Sequence, residues 1–311
     1  MNFLLTALRA VAEPTRLRLL ALCAEGELSV SELAQILGQS QPRVSRHLKL
    51  LTDAGLLERV PEGSWVFHRL VAEGPGLPIA RRLIGLLPEE DRTLALDRER
   101  LNRAKETRAR AAQRYFRLNA PGWDRLRALH VDEAEVERVL LGLLPTDGDE
   151  ELLDVGTGTG RMLEVFGPGV RRAQGIDLSV EMLAVARSNL DRAGLGNCQV
   201  RQADLFQLPF SEESFDAVTC HQVLHFVDDP ARAIAESARV LRPGGRMLVV
   251  DFAPHEEEDL RCDHQHRRLG FGDAEVSAWF AASRLATRDV VHLAGDPLTV
   301  TVWLGAKEEA A

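Results

Sequence analysis

Three closely spaced glycines mark the stretch of this sequence that is best suited to binding a ligand. They alternate with threonine in the run 156–160, after the apolar segment 151–155 and before a second apolar segment, 162–166. Glycine adopts positive φ without strain and lets a ligand approach the backbone closely. A helix that starts behind such a loop offers free N–H groups to the ligand. The pattern predicts a strand, a tight binding loop and a helix.

Two carboxylates flank this loop. Asp177 stands 21 residues after Gly156, behind the short apolar segment 173–176, and an acid at this spacing accepts hydrogen bonds from ribose hydroxyls in nucleotide-binding βαβ units. The glycines follow G-x-G-x-G rather than the G-x-G-x-x-G pattern that cradles a pyrophosphate. Asp154, just before them, suits an ammonium group better than a phosphate. The expected ligand has a ribose and an amine, as S-adenosylmethionine (SAM) does.

Further motifs follow in order along the chain. Asp204-Leu205, the segment His221 to Phe226 and Arg242-Pro243-Gly244-Gly245, together with the loop and Asp177, resemble the class I SAM-dependent methyltransferases. The resemblance covers about residues 115–305. It implies binding of SAM, or of its product S-adenosylhomocysteine (SAH), and methyl transfer to an unidentified small-molecule acceptor. The residues that it places around the donor are Asp154, Gly156, Thr157, Gly158, Gly160, Asp177, Leu178, Met182, Ala203, Asp204, Leu205, His221 and Gln222.

Apolar strand-like runs alternate with helical ones around these motifs. We predict strands over 151–155, 173–176, 199–202, 215–220 and 246–252, a late edge strand over 299–304, and helices over 136–144, 182–190 and 229–240. This alternation predicts an α/β fold with a mostly parallel, Rossmann-like sheet and helices on both faces. Ligands bind such sheets at the carboxyl ends of the strands, where the glycines and acids stand.

The first 70 residues have a different pattern. We predict helices over 15–23, 32–37 and 41–51 and two strands of a wing over 56–60 and 65–70. Ser29 or Ser31 can cap the second helix and Ser40 the third. The third helix has an apolar inner face and a polar, basic outer face, as in the recognition helix of a winged helix-turn-helix. The residues expected to contact DNA are Ser40, Gln41, Arg43, Ser45, Arg46 and Lys49.

This segment resembles the ArsR/SmtB winged-helix repressors over about residues 5–70. The matching motifs are Glu13-Pro14-Thr15-Arg16-Leu17, Ser40 to Leu48, and Ala54-Gly55-Leu56. The resemblance implies that the protein binds DNA as a homodimer. Metal-sensing members carry paired cysteines before the recognition helix, but residues 27–33 contain none. Metal sensing through that site is therefore not expected.

A charged stretch joins the two parts. The predicted organisation is a DNA-binding domain at 1–72, a helical connector and dimerisation segment at 73–120, and a methyltransferase domain at 121–311. Gly74-Pro75-Gly76 predicts a linker, and 88–118 predicts a charged helix. Tyr115 and Trp123 either cover the SAM pocket or pack on the sheet, and the sequence leaves both possibilities open.

Composition and charge limit the kinds of partner that the chain can bind. The chain has 311 residues and a formal net charge of −9, distributed as +1 over 1–70, +4 over 71–120 and −14 over 121–311. Because the acidic part would be repelled by DNA, any DNA contact must come from the first part. No apolar run approaches the length of a membrane span, and four scattered cysteines fit a reducing compartment. We expect a cytoplasmic protein without a membrane partner.

Histidines supply the candidate acid–base groups. His221 either acts as a general base or orders the wall of the pocket. His221 and His225 could share a helix face and hold a metal, but no third ligand is evident, and Cys262, His264 and His266 match no zinc pattern. No metal is therefore expected. The scattered cysteines also give poor support for an arsenic-methylating acceptor site.

Three functions stay open at this point. The chain could be a regulator that is also an enzyme, a non-enzymatic repressor that senses SAM or SAH, or a methyltransferase whose winged helix only dimerises. The SAM motifs do not separate the first two. The basic recognition helix disfavours the third, and we adopt the first interpretation.

Overall fold

A computed structural model describes residues 2–26, 28–62, 65–71, 74–88, 90–119 and 133–309. The chain divides into two units, Met1–Arg110 and Ala111–Ala311. The segment expected to cover the SAM pocket, with the side chain of Tyr115 and all of Trp123, lies outside what the structure describes. Among the described residues, no helix has the length and apolar character needed to cross a bilayer.

The first unit combines short helices with a small antiparallel sheet. Its helices are α1 (Asn2–Val11), α2 (Pro14–Ala24), α3 (Val30–Leu37), α4 (Gln41–Asp53), α5 (Gly76–Gly85) and α6 (Arg92–Asn119), the last of which continues into the second unit. The strands are β1 (Leu28–Ser29), β2 (Leu57–Glu62) and β3 (Trp65–Leu70), in the order β1-β3-β2. This is the predicted winged helix-turn-helix arrangement, with α3 and α4 as the two helices of the motif.

Local signals explain where these helices begin and end. Ser29 accepts a hydrogen bond from the N–H of Glu32 while the Glu32 carboxylate accepts one from the N–H of Ser29, a reciprocal capping box at the start of α3. Gly38 ends α3 with φ of 65°. Ser40 occupies the cap position of α4, but its side chain makes no capping hydrogen bond. The expected capping role of Ser40 is therefore wrong, and Pro42 in the first turn is the remaining start signal.

The segment that the sequence marked as a linker packs into the first unit. Gly76 is buried at the start of α5, and a Cβ on it would lie 1.8 Å from the carbonyl oxygen of Gly55. Ala80 of α5 and Leu101 of α6 are buried in the same apolar core as Leu19, Leu33 and Leu48 of the helices around them. Both helices therefore belong to the core of the winged helix.

The second unit contains a seven-stranded sheet. Its strands are β4 (Glu151–Val155), β5 (Arg172–Asp177), β6 (Cys198–Gln202), β7 (Phe215–His221), β8 (Leu241–Phe252), β9 (Leu285–Leu293) and β10 (Val300–Lys307), in the order β6-β5-β4-β7-β8-β10-β9. The first five are parallel to one another, and β10 runs antiparallel between β8 and β9. The predicted α/β class with a mostly parallel sheet is confirmed.

One strand position differs from the prediction. The late strand was expected at the edge of the sheet, but β10 is internal and β9 forms the edge. The prediction missed β9 because its middle is polar and largely exposed, as is common for an edge strand with one buried face.

Helices cover both faces of this sheet. They are α7 (Glu133–Leu143), α8 (Arg161–Phe166), α9 (Val180–Ala193), α10 (Pro230–Val240), α11 (Glu258–Asp263) and α12 (Asp273–Ala282). Successive residues of one strand enter opposite apolar cores: Leu152 packs in the core with Phe166, whereas Leu153 packs in the core with Phe280 and Trp303. Because the strands are buried on both faces, their carboxyl ends form a rigid edge for functional groups.

Candidate functional site

The carboxyl ends of the parallel strands bring the predicted donor-site residues to one edge of the sheet. Val155 of β4 pairs in register with Ile176 of β5, and Asp177 pairs with Gln202 of β6. Asp154 lies beside Thr219 of β7. The glycine loop, Asp177, the turn at Asp204 and His221 therefore follow neighbouring strand ends.

The glycine loop has the backbone conformation that its residues predict. Gly156, Gly158 and Gly160 have φ of 72°, 52° and 86°, in the left-handed region that disfavours other residues. A Cβ on Gly156 would lie 2.4 Å from a methyl carbon of Val223, so the segment after β7 packs directly on the loop. The N–H of Thr157 donates to the carbonyl of Ile176 over 2.8 Å, which ties the loop to β5.

A fourth glycine that the sequence interpretation missed makes room beneath this loop. A Cβ on Gly175 of β5 would lie 2.6 Å from Thr157 Oγ1 and 2.8 Å from a methyl carbon of Leu163. The threonine of the loop and the first turns of α8 can therefore settle on β5 only because this position lacks a side chain. The signal in the sequence was a glycine inside an apolar strand, which often marks close backbone approach.

Asp177 connects β5 to the glycine loop. Its Oδ2 accepts a hydrogen bond from the N–H of Gly158 at 2.9 Å, and its Oδ1 accepts one from the N–H of Ser179 at 2.8 Å. Burial raises the pKa of this carboxyl, against the opposing effect of these backbone donors. An ionised carboxylate offers about four lone-pair directions, so these backbone donors leave room for a hydroxyl donor of a ligand.

Asp154 lies deeper than Asp177. Its carboxylate is buried beneath the loop, where Oδ1 accepts a hydrogen bond from the hydroxyl of Thr219 at 2.7 Å. The bond fastens the end of β4 to β7. The carboxyl group therefore lies under the glycines, inside the sheet edge.

The remaining predicted donor-site residues divide by exposure. Asp204 is exposed and accepts a hydrogen bond from the N–H of Phe206, and the N–H of Ala203 donates to the carbonyl of Asp177. Leu178 is exposed, whereas Met182 and Leu205 are buried. The exposed pair, Leu178 and Asp204, can meet a ligand directly.

The segment after β7 has an unusual backbone. His221 ends the strand, half-buried and in register with Val250 of β8. Gln222 then has φ of 53°, which is uncommon for a residue with a Cβ, and its N–H donates to the carbonyl of Val250 at 2.7 Å. Such strained positions cluster at functional sites because the surrounding structure must hold them.

A buried pair beside this segment was not foreseen as an acid–base group. The ring of His225 lies with Nδ1 2.7 Å from Oδ1 of Asp251, whose carboxylate is fully buried at the end of β8. Oδ2 of the same carboxylate accepts the backbone N–H of His225 at 3.3 Å. The sequence could not join the two because 26 residues separate them, and only the pairing of β7 with β8 brings them together.

The cysteines do not form an acceptor site among the described residues. Cys198 and Cys220 are buried in the two separate cores on opposite faces of the sheet, and Cys23 is buried in the first unit. Burial raises the pKa of the Cys23 thiol to about 12, that of Cys198 to about 11, and that of Cys220 well above its usual value. Cys262 alone is exposed. Within the same described ranges no group of three or more His, Cys, Asp and Glu side chains could hold a metal ion.

The recognition helix has the predicted division of faces. Val44, Leu48 and Leu51 of α4 are buried. The predicted DNA-contact residues are exposed: Ser40, Gln41, Arg43, Ser45, Arg46 and Lys49. Lys49 also pairs with Asp53 one turn further along the same helix.

Two contacts attach α6 to the helix-turn-helix. The guanidinium of Arg18, on α2, makes a bidentate pair with the buried Asp97 on α6, with N–O distances of 2.6 and 2.7 Å. Arg100 donates to the carbonyl of Ile36 near the end of α3 at 2.9 Å. The turn between α3 and the recognition helix therefore rests against α6.

Comparisons with known proteins agree with both halves of this description. Residues 153–249 match the family described as methyltransferase domain, and residues 13–59 match the family described as bacterial regulatory protein, arsR family. This chain carries an arsR-family helix-turn-helix domain and a methyltransferase domain. The methyltransferase match spans the strand ends that carry the glycine loop, Asp177 and His221, and the arsR match contains α2 to α4.

Relatives of the methyltransferase domain are diverse. The uncharacterized methyltransferase YcgJ of Bacillus subtilis (strain 168) is 34% identical over 150 residues, 46% of this chain and 59% of YcgJ. Its crystal structure superposes with a TM-score of 0.51 at 25% identity, over 57% of this chain and all of that one. Phosphatidylethanolamine N-methyltransferase of Cereibacter sphaeroides is 40% identical over 110 residues, 35% of this chain and 54% of the relative. This chain thus spans little more than half the length of these curated relatives.

A solved structure with a bound product has the same fold. Geranyl diphosphate C-methyltransferase from Streptomyces coelicolor A3(2), in complex with Mg²⁺, geranyl diphosphate and SAH, superposes with a TM-score of 0.50 at 17% identity. The superposition covers 56% of this chain and 79% of that one. At this identity the likeness concerns only the fold of the superposed part and not the acceptor.

Proposed function

We propose that this chain is an ArsR-like transcriptional regulator whose second domain transfers a methyl group from SAM to a small-molecule acceptor. The observation that carries the proposal is the arrangement at the carboxyl edge of the sheet. A loop of three left-handed glycines lies between the buried Asp154 and the half-buried Asp177, which retains lone pairs for ribose hydroxyls.

Each edge residue has a role in this proposal. The glycine loop admits the amino-acid part of SAM close to the backbone, and Asp154 supplies the negative charge that attracts its ammonium group. Asp177 accepts hydrogen bonds from the ribose, and Asp204 accepts one from the adenine amino group. When bound, SAM supplies an electrophilic sulfonium methyl group for in-line transfer. Because such a transfer depends mainly on alignment and on exclusion of water, the protein needs few reactive groups of its own.

The first domain supports binding to DNA by a homodimer. Two copies of α4 would enter successive major grooves, roughly one helical turn apart on a palindromic site. Gln41, Arg43 and Arg46 are exposed and can reach base edges, while Ser40, Ser45 and Lys49 can contact phosphates.

The second candidate function is a repressor that senses SAM or SAH without catalysis. The attachment of α6 to the helix-turn-helix supports its regulatory part, because a displacement of α6 would act on α2 through Asp97 and on α3 through Arg100. The same attachment serves an enzyme that is also a regulator, so only activity separates the two.

Calorimetry and a methyl-transfer assay test this proposal together. We expect SAM and SAH to bind the wild-type chain and Asp177→Asn to weaken both. Asp191→Asn, an exposed change on α9, is the matched control and should leave both affinities unchanged. Labelled methyl from SAM should then appear on at least one member of a panel of phenols, amines and quinols. Binding without transfer would favour the sensor, and no binding at all would refute both functions.

A further inference from the structure

The buried pair of His225 and Asp251 has the geometry of an oriented base. Asp251 is acceptor-only when ionised, so the ring nitrogen Nδ1 of His225, 2.7 Å away, carries the proton. The N–H of Phe252 donates to the same carboxylate oxygen at 2.9 Å, and the N–H of His225 donates to the other. These three donors fix the carboxylate, and the carboxylate fixes the tautomer and the orientation of the ring.

The other nitrogen of this ring is left for a ligand. No residue within the described part of the chain makes a hydrogen bond to Nε2 of His225. In the neutral ring with Nδ1 protonated, Nε2 holds a lone pair. If His225 served only to link the segment after β7 to β8, the hydrogen bond through Nδ1 would be sufficient.

The pair lies next to the donor site. Val223 and His225 belong to the same short segment after β7, and Val223 contacts Gly156 of the glycine loop. Asp251 follows Val250, the residue of β8 that pairs with His221. The ring therefore lies at the carboxyl edge where the donor methyl group is expected.

The connection between β8 and α12 covers this ring. Within it, the ring of His266 stacks on that of His225, with centroids 4.0 Å apart and an angle of 25° between the planes. The N–H groups of Arg267 and Arg268 both donate to the carbonyl of His225, and the side chain of Arg267 pairs with Asp228. This connection spans 20 residues, 253–272, and includes only the short helix α11. Long connections with little structure of their own often serve as lids over active sites.

We propose that His225, oriented by Asp251, accepts the proton that the methyl acceptor loses during transfer. The acceptor would then be a compound with an acidic O–H, N–H or C–H group rather than a thioether, a tertiary amine or a thiol-bound metalloid. This inference rests on the proposed methyltransferase function and deepens it.

The step balances without a further reactant. A bond forms between the acceptor atom and the methyl carbon as the carbon–sulfur bond breaks, and the electron pair of that bond stays on sulfur. The proton of the acceptor moves to Nε2 of His225, and the carboxylate of Asp251 stabilises the resulting imidazolium. The proton then leaves to water when the product departs.

The first test compares the effect of SAM with that of SAH on the histidine rings. The two ligands differ only in one methyl group and the sulfonium charge, so a ring beside the reaction centre must sense the difference. Nuclear magnetic resonance of the full-length protein with ¹⁵N-labelled histidine would record the ring signals, assigned to His225 through His225→Asn. We expect Nδ1 of His225 to be protonated, Nε2 to be unprotonated, and both signals to shift between the two complexes. His292, which is hydrogen-bonded to Thr301 and Asp273 at the edge of the sheet, is the control and should not shift.

The outcomes separate this inference from the proposed function. If calorimetry detects neither SAM nor SAH binding, the proposed function and the inference fall together. If both bind but the signals of His225 coincide in the two complexes, or if Nε2 carries the proton, only the inference is overturned.

A substitution tests the role directly once the panel has supplied an acceptor. Asparagine at position 225 can keep the hydrogen bond to Asp251 through its amide N–H, but it offers no basic nitrogen. We expect His225→Asn to unfold near the wild-type temperature and to bind SAM with wild-type affinity, while kcat falls by about 10²- to 10⁴-fold. His292→Asn should retain wild-type kcat. Full activity of His225→Asn would show that the histidine is structural and would overturn the inference.

Discussion

The two domains present their candidate functional side chains in opposite ways. On α4 the polar and basic groups are exposed on one face of a single helix whose other face is buried in the core. At the edge of the sheet, Asp154, Asp177 and Asp251 are buried or half-buried, and each accepts hydrogen bonds that hold the backbone or a neighbouring strand. A change on α4 should therefore affect one function cleanly, whereas a change at the sheet edge should alter binding and folding together.

The largest effect is expected on the recognition helix. Arg43→Ala with Arg46→Ala should weaken specific DNA binding by ~2–6 kcal/mol, because a well-placed side-chain contact to a base is worth ~1–3 kcal/mol. The melting temperature should stay at the wild-type value, since exposed substitutions rarely matter for stability. The measurement is a titration of a duplex selected by the wild-type protein from a random pool.

A matched pair of arginines controls for loss of charge. Arg81 and Arg82 on α5 are also exposed, so Arg81→Ala with Arg82→Ala removes the same charge from a different helix. If this variant loses as much affinity as the α4 variant, the assignment of α4 as the recognition helix is wrong.

The next effect tests whether folding and binding are inseparable at the sheet edge. Gly156→Ala places a Cβ against Val223 in a backbone with φ of 72°. Left-handed strain and overpacking together should lower the free energy of unfolding by roughly 2–4 kcal/mol. The SAM affinity measured by calorimetry should also fall.

The control variant Gly194→Ala has a similar φ of 70° but open space around it. It should cost only ~1–2 kcal/mol of strain and leave SAM affinity intact. Equal loss of SAM affinity in the two variants would contradict the close approach of the loop.

Asp177→Asn tests how much one carboxylate at the sheet edge contributes to SAM binding. The amide keeps an oxygen for one backbone donor but loses the charge, so SAM affinity should fall by ~1–3 kcal/mol. Isothermal calorimetry would measure the change. An unchanged affinity, with Asp191→Asn as reference, would remove Asp177 from the donor site.

The smallest effect is a pH dependence of SAM binding. Because burial raises the pKa of Asp177, its carboxylate gains a proton at a higher pH than an exposed aspartate does. SAM affinity should therefore begin to fall early on acidification from neutral pH. The effect on folding has the opposite sign, since a raised folded-state pKa means that protonation of this group favours the folded state. Calorimetry over a pH series should show this fall for the wild-type protein and a flat profile for Asp177→Asn.

Most of the features that could be predicted from the sequence depend on residues that are close together in the chain. Helix caps, the faces of α4 and the glycines after β4 follow from residues near one another in the chain, and so does the alternation that predicts a parallel sheet. Gly160 and Gly38 illustrate this, because each takes a left-handed φ beside a helix end, as its position indicates.

Contacts between residues that are far apart in the chain could not be predicted from the sequence. The pair of His225 with Asp251, the room that Gly175 leaves for Thr157, and the edge position of β9 all depend on which strands become neighbours. No single periodicity encodes that choice. The sequence suggested His221 as the candidate base because it lies at the end of a strand. In the structure, the ring that a carboxylate orients is that of His225.

One titration tests the central claim that a SAM site and a DNA-binding face form one regulator. The selected duplex should be titrated with the full-length protein alone, with saturating SAM and with saturating SAH. The attachment of α6 to α2 and α3 leads us to expect midpoints that differ by ~1–3 kcal/mol in DNA affinity, the usual range of allosteric coupling. Asp97→Asn, which weakens that attachment, should reduce the difference. Three superimposable curves from a protein that binds both SAM and DNA would contradict the claim and leave two independent domains on one chain.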